Sequence, residues 1–176
     1  MKYSAVIVVL TTAVLSTVSA QSAFTNFTSC LGEKVGQLTV TKAALSPYPL
    51  CVGEKYCFQV DGTLTTPIIE GSWMGVNAFT SSQLVPTGAS QDMCAALAAN
   101  GTPCPIPAGP VSLKFCYNAP INMIKDVKMA WYFSSFTPDS KNIFCEYMGP
   151  GKGVPPTPEN PRGWSAIWAK NCTQKA

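Results

Sequence analysis

The sequence contains no histidine, and only 12% of its residues carry charge. The missing imidazole excludes Ser-His-Asp and Cys-His nucleophile systems and every metal site built on a His ligand. No Gly-x-Ser-x-Gly motif occurs, so the nucleophile elbow of the α/β hydrolases is absent too. The 12 Lys and Arg against 9 Asp and Glu leave a net charge of +3, scattered along the chain. A nucleic-acid binder gathers its charge into a basic patch, so nucleic acid is excluded as a partner. Asp61, Glu70, Asp92, Asp126 and Glu146 stand singly, with no spacing that sets two acids across a cleft for hydrolysis. These absences predict a protein that is not an enzyme and has neither cofactor nor metal site.

Long apolar runs are also missing. The longest, from Ala5 to Leu15, is broken by Thr11 and Thr12 and is too short to span a membrane. With Lys2 ahead of it and Val18-Ser19-Ala20 behind, it reads as a signal peptide over residues 1–20, cut before Gln21. The expected location is therefore extracellular, or the lumen of an endolysosomal or vacuolar compartment.

What is abundant fits that compartment. The chain has 8 cysteines and 15 prolines, and every cysteine follows residue 20. An even count in a secreted chain implies four disulfides. One domain's length braced in this way predicts a loop-rich fold and excludes a helical bundle. Asn-x-Thr sequons at Asn26, Asn100 and Asn171 are candidate glycosylation sites. Asn100-Gly101 is a loop signal, whereas the middle residue at Asn171 is itself a cysteine.

Apolar residues recur with period two in short runs broken by Pro and Gly, the pattern of antiparallel sheet. Leu38 and Val40 alternate with Thr39 and Thr41; Tyr56, Phe58 and Val60 with Cys57, Gln59 and Asp61. Leu113, Phe115 and Tyr117 alternate with Lys114 and Cys116; Val127, Met129, Trp131 and Phe133 with Lys128, Ala130 and Tyr132. Further strands are expected over 66–78 and 142–148, and the set predicts an all-β sandwich of two antiparallel sheets. Residues 90–100 break the pattern: Met93, Cys94 and Leu97 between Ser90 as N-cap and Gly101 predict one short helix in a loop. A Cys94–Cys104 bridge at its end would close a short loop and stabilise by about 2–4 kcal/mol.

Residues 149–163 are Pro/Gly-rich and cannot form a packed element, so the body is expected over 21–148 and a tail over 149–176. Trp164 and Trp168 would share a face if they lie on a helical turn. A tail ending near Cys172 is expected to be pinned to the body, either clipping a sheet edge or covering a pocket.

Several segments together resemble one family. They are Cys30, Gly53-Glu-Lys-Tyr56, Thr66-Pro-Ile-Ile-Glu-Gly71 with Trp73-Met-Gly-Val76, and Asp92-Met-Cys94. Cys104-Pro-Ile-Pro-Ala-Gly109 leading to Tyr117, then Pro120-Ile121, then Phe144-Cys145, complete the set. The chain is similar, over residues 27–148, to the ML (MD-2-related lipid-recognition) domains, on the side of Niemann-Pick type C2 and the fungal phosphatidylglycerol/phosphatidylinositol transfer proteins. The resemblance implies an immunoglobulin-like sandwich whose sheets splay to admit a lipid, with bridges Cys30–Cys145 and Cys94–Cys104. It does not account for Cys51, Cys57, Cys116 and Cys172. Cys57 and Cys116 both point outward by alternation and can pair if their strands adjoin, leaving Cys51 with Cys172; Cys51–Cys57 is the rival.

If two such sheets are held apart at one end, their inward apolar side chains line a dry cavity that takes a hydrocarbon. The candidate lining is Phe58, Val60, Ile69, Trp73, Phe79, Leu113, Phe115, Ile121, Met123, Met129, Trp131, Phe133 and Phe144. By the family's pattern the mouth lies near Pro120-Ile121, across from residues 79–85, and Met123 and Ile124 extend that apolar loop towards a membrane. Lys114, Lys125 and Lys128 would add weak attraction for anionic lipid. The expected function is a monomeric secreted carrier of a sterol or phospholipid, in transient contact with membranes. The alternative is a recognition module for a glycolipid or receptor without transfer activity, docking through Tyr132 and the Trp-bearing tail.

Overall fold

Alternation in β5 (Lys55–Leu64) is strict: Tyr56, Phe58, Val60, Gly62 and Leu64 are buried, while the residues between them reach solvent. That strand is the middle of a four-stranded antiparallel sheet with β1 (Ser22–Phe24), β3 (Leu38–Tyr48) and β9 (Gly109–Asn118), in the order β1-β3-β5-β9. The second sheet runs β2 (Phe27–Ser29), β11 (Asn142–Met148), β10 (Lys128–Phe136), β6 (Trp73–Phe79), β7 (Leu84–Val85), with β8 (Gln91–Asp92) also on β6. The computed structural model describes residues 22–31, 36–79, 84–85, 90–119, 128–148, 166–167 and 169–170. Among these no helix is long and apolar enough to cross a membrane.

The chain passes from β1 in the first sheet through Thr25-Asn26 to β2 in the second, so this crossover runs along one edge of the sandwich. Beside it β3 changes phase. Leu38 and Val40 face inward on one side of a bulge at Thr41, and Ala43 and Leu45 face inward on the other. A bulge inserts one residue against a single partner and so reverses which parity points inward. Gly62, opposite Val40, makes the close approach possible, because a Cβ there would run into the carbonyl oxygen of Thr39.

Between the sheets lies one continuous apolar core. Phe58 from the first sheet and Phe133 from the second stack with centroids 4.2 Å apart, and Phe144 and Phe27 pack on Phe58 at 6.1 and 5.4 Å. Burying aromatic rings of this size dominates the stability of so small a domain.

Three expectations about elements are corrected. Residues 66–72 precede the strand expected over 66–78, which begins at Trp73; of this stretch only Ile68 makes a bridge, to Ile106. Helix α1 (Met93–Ala98) is capped by Asp92, whose carboxylate accepts from the Ala95 N–H at 2.8 Å, and not by Ser90. Gln91 and Asp92 are committed to pairing with Met74 and Trp73, so the helix cannot start before Met93. In the tail, β12 (Ala166–Ile167) is a strand paired with β10 and not part of a helical turn. β13 (Ala169–Lys170) runs parallel to β4 (Leu50–Cys51).

Candidate functional site

Seven of the thirteen expected lining residues meet in the interior. Phe58, Val60, Leu113, Phe115, Trp131, Phe133 and Phe144 are all buried in the core between the sheets. The rings of Phe58, Phe133, Phe144 and Phe115 touch one another and fill the gap at that level, where a hollow was expected.

Two expected residues point elsewhere. Ile69 is 49% exposed, because the bridge between Ile68 and Ile106 turns Ile68 inward and its neighbour out. Trp73 stands on the outer face of the second sheet, stacked on Phe136 at 4.4 Å, since Met74 and Val76 take the inward parity. Phe79 and Met129 fall on β6 and β10. Ile121 and Met123, with the rest of the proposed mouth at 120–124, lie outside the described residues. Tyr132 does face outward, but it is buried against Tyr147 with centroids 5.8 Å apart, so it offers no docking surface.

A cleft of about 310 Å³ opens at the crossover edge, lined by Thr25, Phe27, Ser29, Val40, Thr41, Lys42, Ala43 and Glu146. The bulge in β3 supplies four of these in succession, and β2 with β11 supplies the facing wall. Glu146 lies opposite Ser29 on one side and Phe133 on the other, so it shares the inward parity of Phe144 and Met148. It is only 5% exposed, and among the described residues its carboxyl has neither a hydrogen-bond nor an ionic partner. Desolvation alone pushes its pKa up to about 7. Reading the acids one by one along the chain passed over Glu146; its spacing of two from Phe144 was the signal that placed it inside.

The opposite edge is latched. Tyr117 on β9 reaches across to the second sheet, its hydroxyl donating to the Met74 sulfur at 2.8 Å and accepting from Gln91 Nε2 at 2.7 Å. Burial raises the pKa of Tyr117, and its neighbour Tyr56 is pushed up to about 12 for the same reason, so both are neutral donors at physiological pH.

With this geometry in view, the family follows from the sequence match: the model of the ML domain fits residues 25–147. The chain belongs to the ML domain family. Among solved structures, a Niemann-Pick type C2 protein from the Japanese carpenter ant superposes with a TM-score of 0.51 at 10% identity. That match covers 66% of this chain and 92% of the other, and it shows a shared fold. Chicken MD-1 complexed with lipid IVa aligns with a TM-score of 0.42 at 13% identity, covering 72% of this chain and 94% of that one. The C-terminal domain of wzt aligns at 0.44 and 12% identity, covering 83% and 78%. No curated protein matches the sequence.

In this ML domain none of the described disulfides crosses between the facing strands of the two sheets. Cys57–Cys116 joins neighbouring strands on the outer face of the first sheet, Cys30–Cys145 lies at the β2/β11 end of the second, and Cys94–Cys104 ties α1 to the following loop. Cys51 is also disulfide-bonded, which excludes the Cys51–Cys57 rival; Cys172 lies outside the described residues. The one cluster of possible metal ligands among the described residues is Glu70, Asp92 and Cys94. The Cys94 sulfur is already bonded to Cys104 and cannot serve as a thiolate ligand. Asn26 is exposed at the crossover, Asn100 donates from Nδ2 to the Ala96 carbonyl at 2.9 Å, and Asn171 lies outside the described residues.

Proposed function

We propose that this ML domain is a secreted, monomeric lipid carrier that holds one sterol or phospholipid between its sheets and passes it between membranes without chemistry. The observation that carries the reading is the layer where the sheets meet. Across the interior they touch through apolar side chains, and no described disulfide spans it. Parting the sheets therefore breaks no covalent bond there. It separates ring pairs such as Phe58 and Phe133, each worth about 0.5–1.5 kcal/mol beyond its area. Burying roughly 400 Å² of apolar lipid surface returns on the order of 10 kcal/mol gross. Association costs reduce that to a reversible affinity, which suits carriage.

The signal peptide over residues 1–20, the sequons and the paired cysteines agree with an extracellular or endolysosomal site of action. The apolar loop at Pro120-Ile121 and Met123-Ile124 serves as the mouth and membrane contact. The tail is held by a Cys51–Cys172 bridge next to the β4/β13 pairing.

Solvent extraction and mass spectrometry of the purified protein, followed by vesicle-to-vesicle transfer, test the reading. Co-purifying lipid and transfer that Ile121→Asp cuts at least tenfold, with the fold intact, support it. Bound lipid that never exchanges identifies a recognition module instead, and an empty protein that transfers nothing ends the carrier reading.

A further inference from the structure

We propose that the cleft between β3 and β2 is a second binding site, for a hydroxyl-bearing amphiphile. The ligand's head bonds the Glu146 carboxyl, and its apolar body lies on Phe27, Val40 and Ala43. This site goes beyond interior carriage, because it opens at the crossover edge while the proposed mouth lies at the β9/β6 side.

Three features combine in the cleft. It has a volume of about 310 Å³, at the lower end of the range for small-molecule sites. Its floor is the back of the aromatic core, with Phe27 packed on Phe58 and Phe133 at 5.4 and 5.9 Å. Into it points the carboxyl of Glu146, a residue 5% exposed whose oxygens have no protein partner among the described residues and face the open cleft. A carboxyl that faces a cleft without a protein partner is free to hydrogen-bond a ligand seated there.

Charge selects the head group. Among the described residues, Glu146 and Lys42 are the only ionisable side chains lining the cleft. A ligand carboxylate would meet Glu146, and an ammonium would meet Lys42. A hydroxyl avoids both conflicts, and it can donate to the carboxylate or accept from the carboxylic acid. It therefore bonds Glu146 on either side of its titration near pH 7. Thr25, Ser29 and Thr41 add hydroxyl groups to the lining.

The test is calorimetric titration of the full chain with 1-dodecanol and with dodecanoate, alongside Glu146→Leu, Glu146→Gln and Val40→Trp. The alcohol should bind at the cleft, as a site separate from any uptake between the sheets. Glu146→Leu should weaken it about tenfold, the loss of one hydrogen bond to a charged group. Glu146→Gln, which keeps an acceptor, should weaken it about threefold, and Val40→Trp should abolish it. At pH 8.5 dodecanoate should bind at least tenfold more weakly than the alcohol. Amide shifts of the unaltered protein on adding dodecanol should centre on Thr25, Phe27, Ser29, residues 40–43 and Glu146, a readout that does not depend on any variant folding. Shifts that leave these residues unmoved, equal affinity for dodecanoate at the cleft, or undiminished cleft binding in folded Glu146→Leu and Val40→Trp would each overturn the proposal.

Discussion

Along the β9/β6 edge, the Tyr117 hydroxyl joins the two sheets, α1 buries Met93, Cys94 and Leu97, and the Cys94–Cys104 bridge anchors the loop that follows. Along the β3/β2 edge the chain has a bulge, an open cleft and a buried carboxyl with no described partner. One edge ties the two sheets together through a side-chain hydroxyl; the other holds a carboxyl in an open cleft with no protein partner among the described residues. Departures from local consistency of this kind concentrate where a protein binds something. The closed edge supplies stability and the open edge gives some of it up, so substitutions at the two should differ in sign as well as size.

The largest loss should come from the core that both edges enclose. Phe58→Ala removes the ring that contacts Phe27, Phe133, Phe144 and Phe115, and should cost about 3–5 kcal/mol in urea unfolding. A loss below about 1 kcal/mol would mean that the rings are not the filled centre described above. Next comes the closed edge. Replacing both Cys94 and Cys104 by Ser should cost about 2–4 kcal/mol, read the same way, because the bridge constrains the unfolded chain and holds α1 down. Tyr117→Phe keeps the ring and removes only the hydroxyl on Met74 and Gln91. It should cost about 1 kcal/mol and speed amide exchange in β6 and β9 more than in β3. Equal acceleration at both edges would erase the contrast.

Much of the closed side was legible from residue order. Alternation in 56–60 and 113–117 located β5 and β9 and set Cys57 and Cys116 outward, and the two strands adjoin with those residues in register. The open side was not legible, for physical reasons. A bulge depends on the partner strand, so nothing in Leu38-Thr-Val-Thr-Lys-Ala43 announces that inward parity changes at Thr41. Trp73 and Ile69 were assigned inward on their own apolar character, whereas Ile68, Met74 and Val76 take the inward positions and Trp73 shares its face with the exposed Asn77. Glu146 failed in the opposite way. Its neighbours Cys145 and Tyr147 face the other side of β11, and a charged residue is read as exposed until the partner strands are known.

The smallest effect belongs to that carboxyl, and its sign is opposite to the others. In the folded protein Glu146 titrates at about 7, above its unfolded value of 4.5, so between those values the native state binds the extra proton. Stability then falls as pH rises across that window, and above about 7 the full cost of a desolvated carboxylate remains. Glu146→Gln removes the charge without changing the shape. It should raise stability at pH 8 by on the order of 1 kcal/mol, after allowing for solvent screening at the open side of the cleft. It should have little effect at pH 4, where the native carboxyl is already neutral. Urea titrations of both proteins at pH 4, 6 and 8 measure this directly. A variant less stable than the parent at pH 8 would mean that Glu146 is held by a favourable partner, and the two edges would then be satisfied alike.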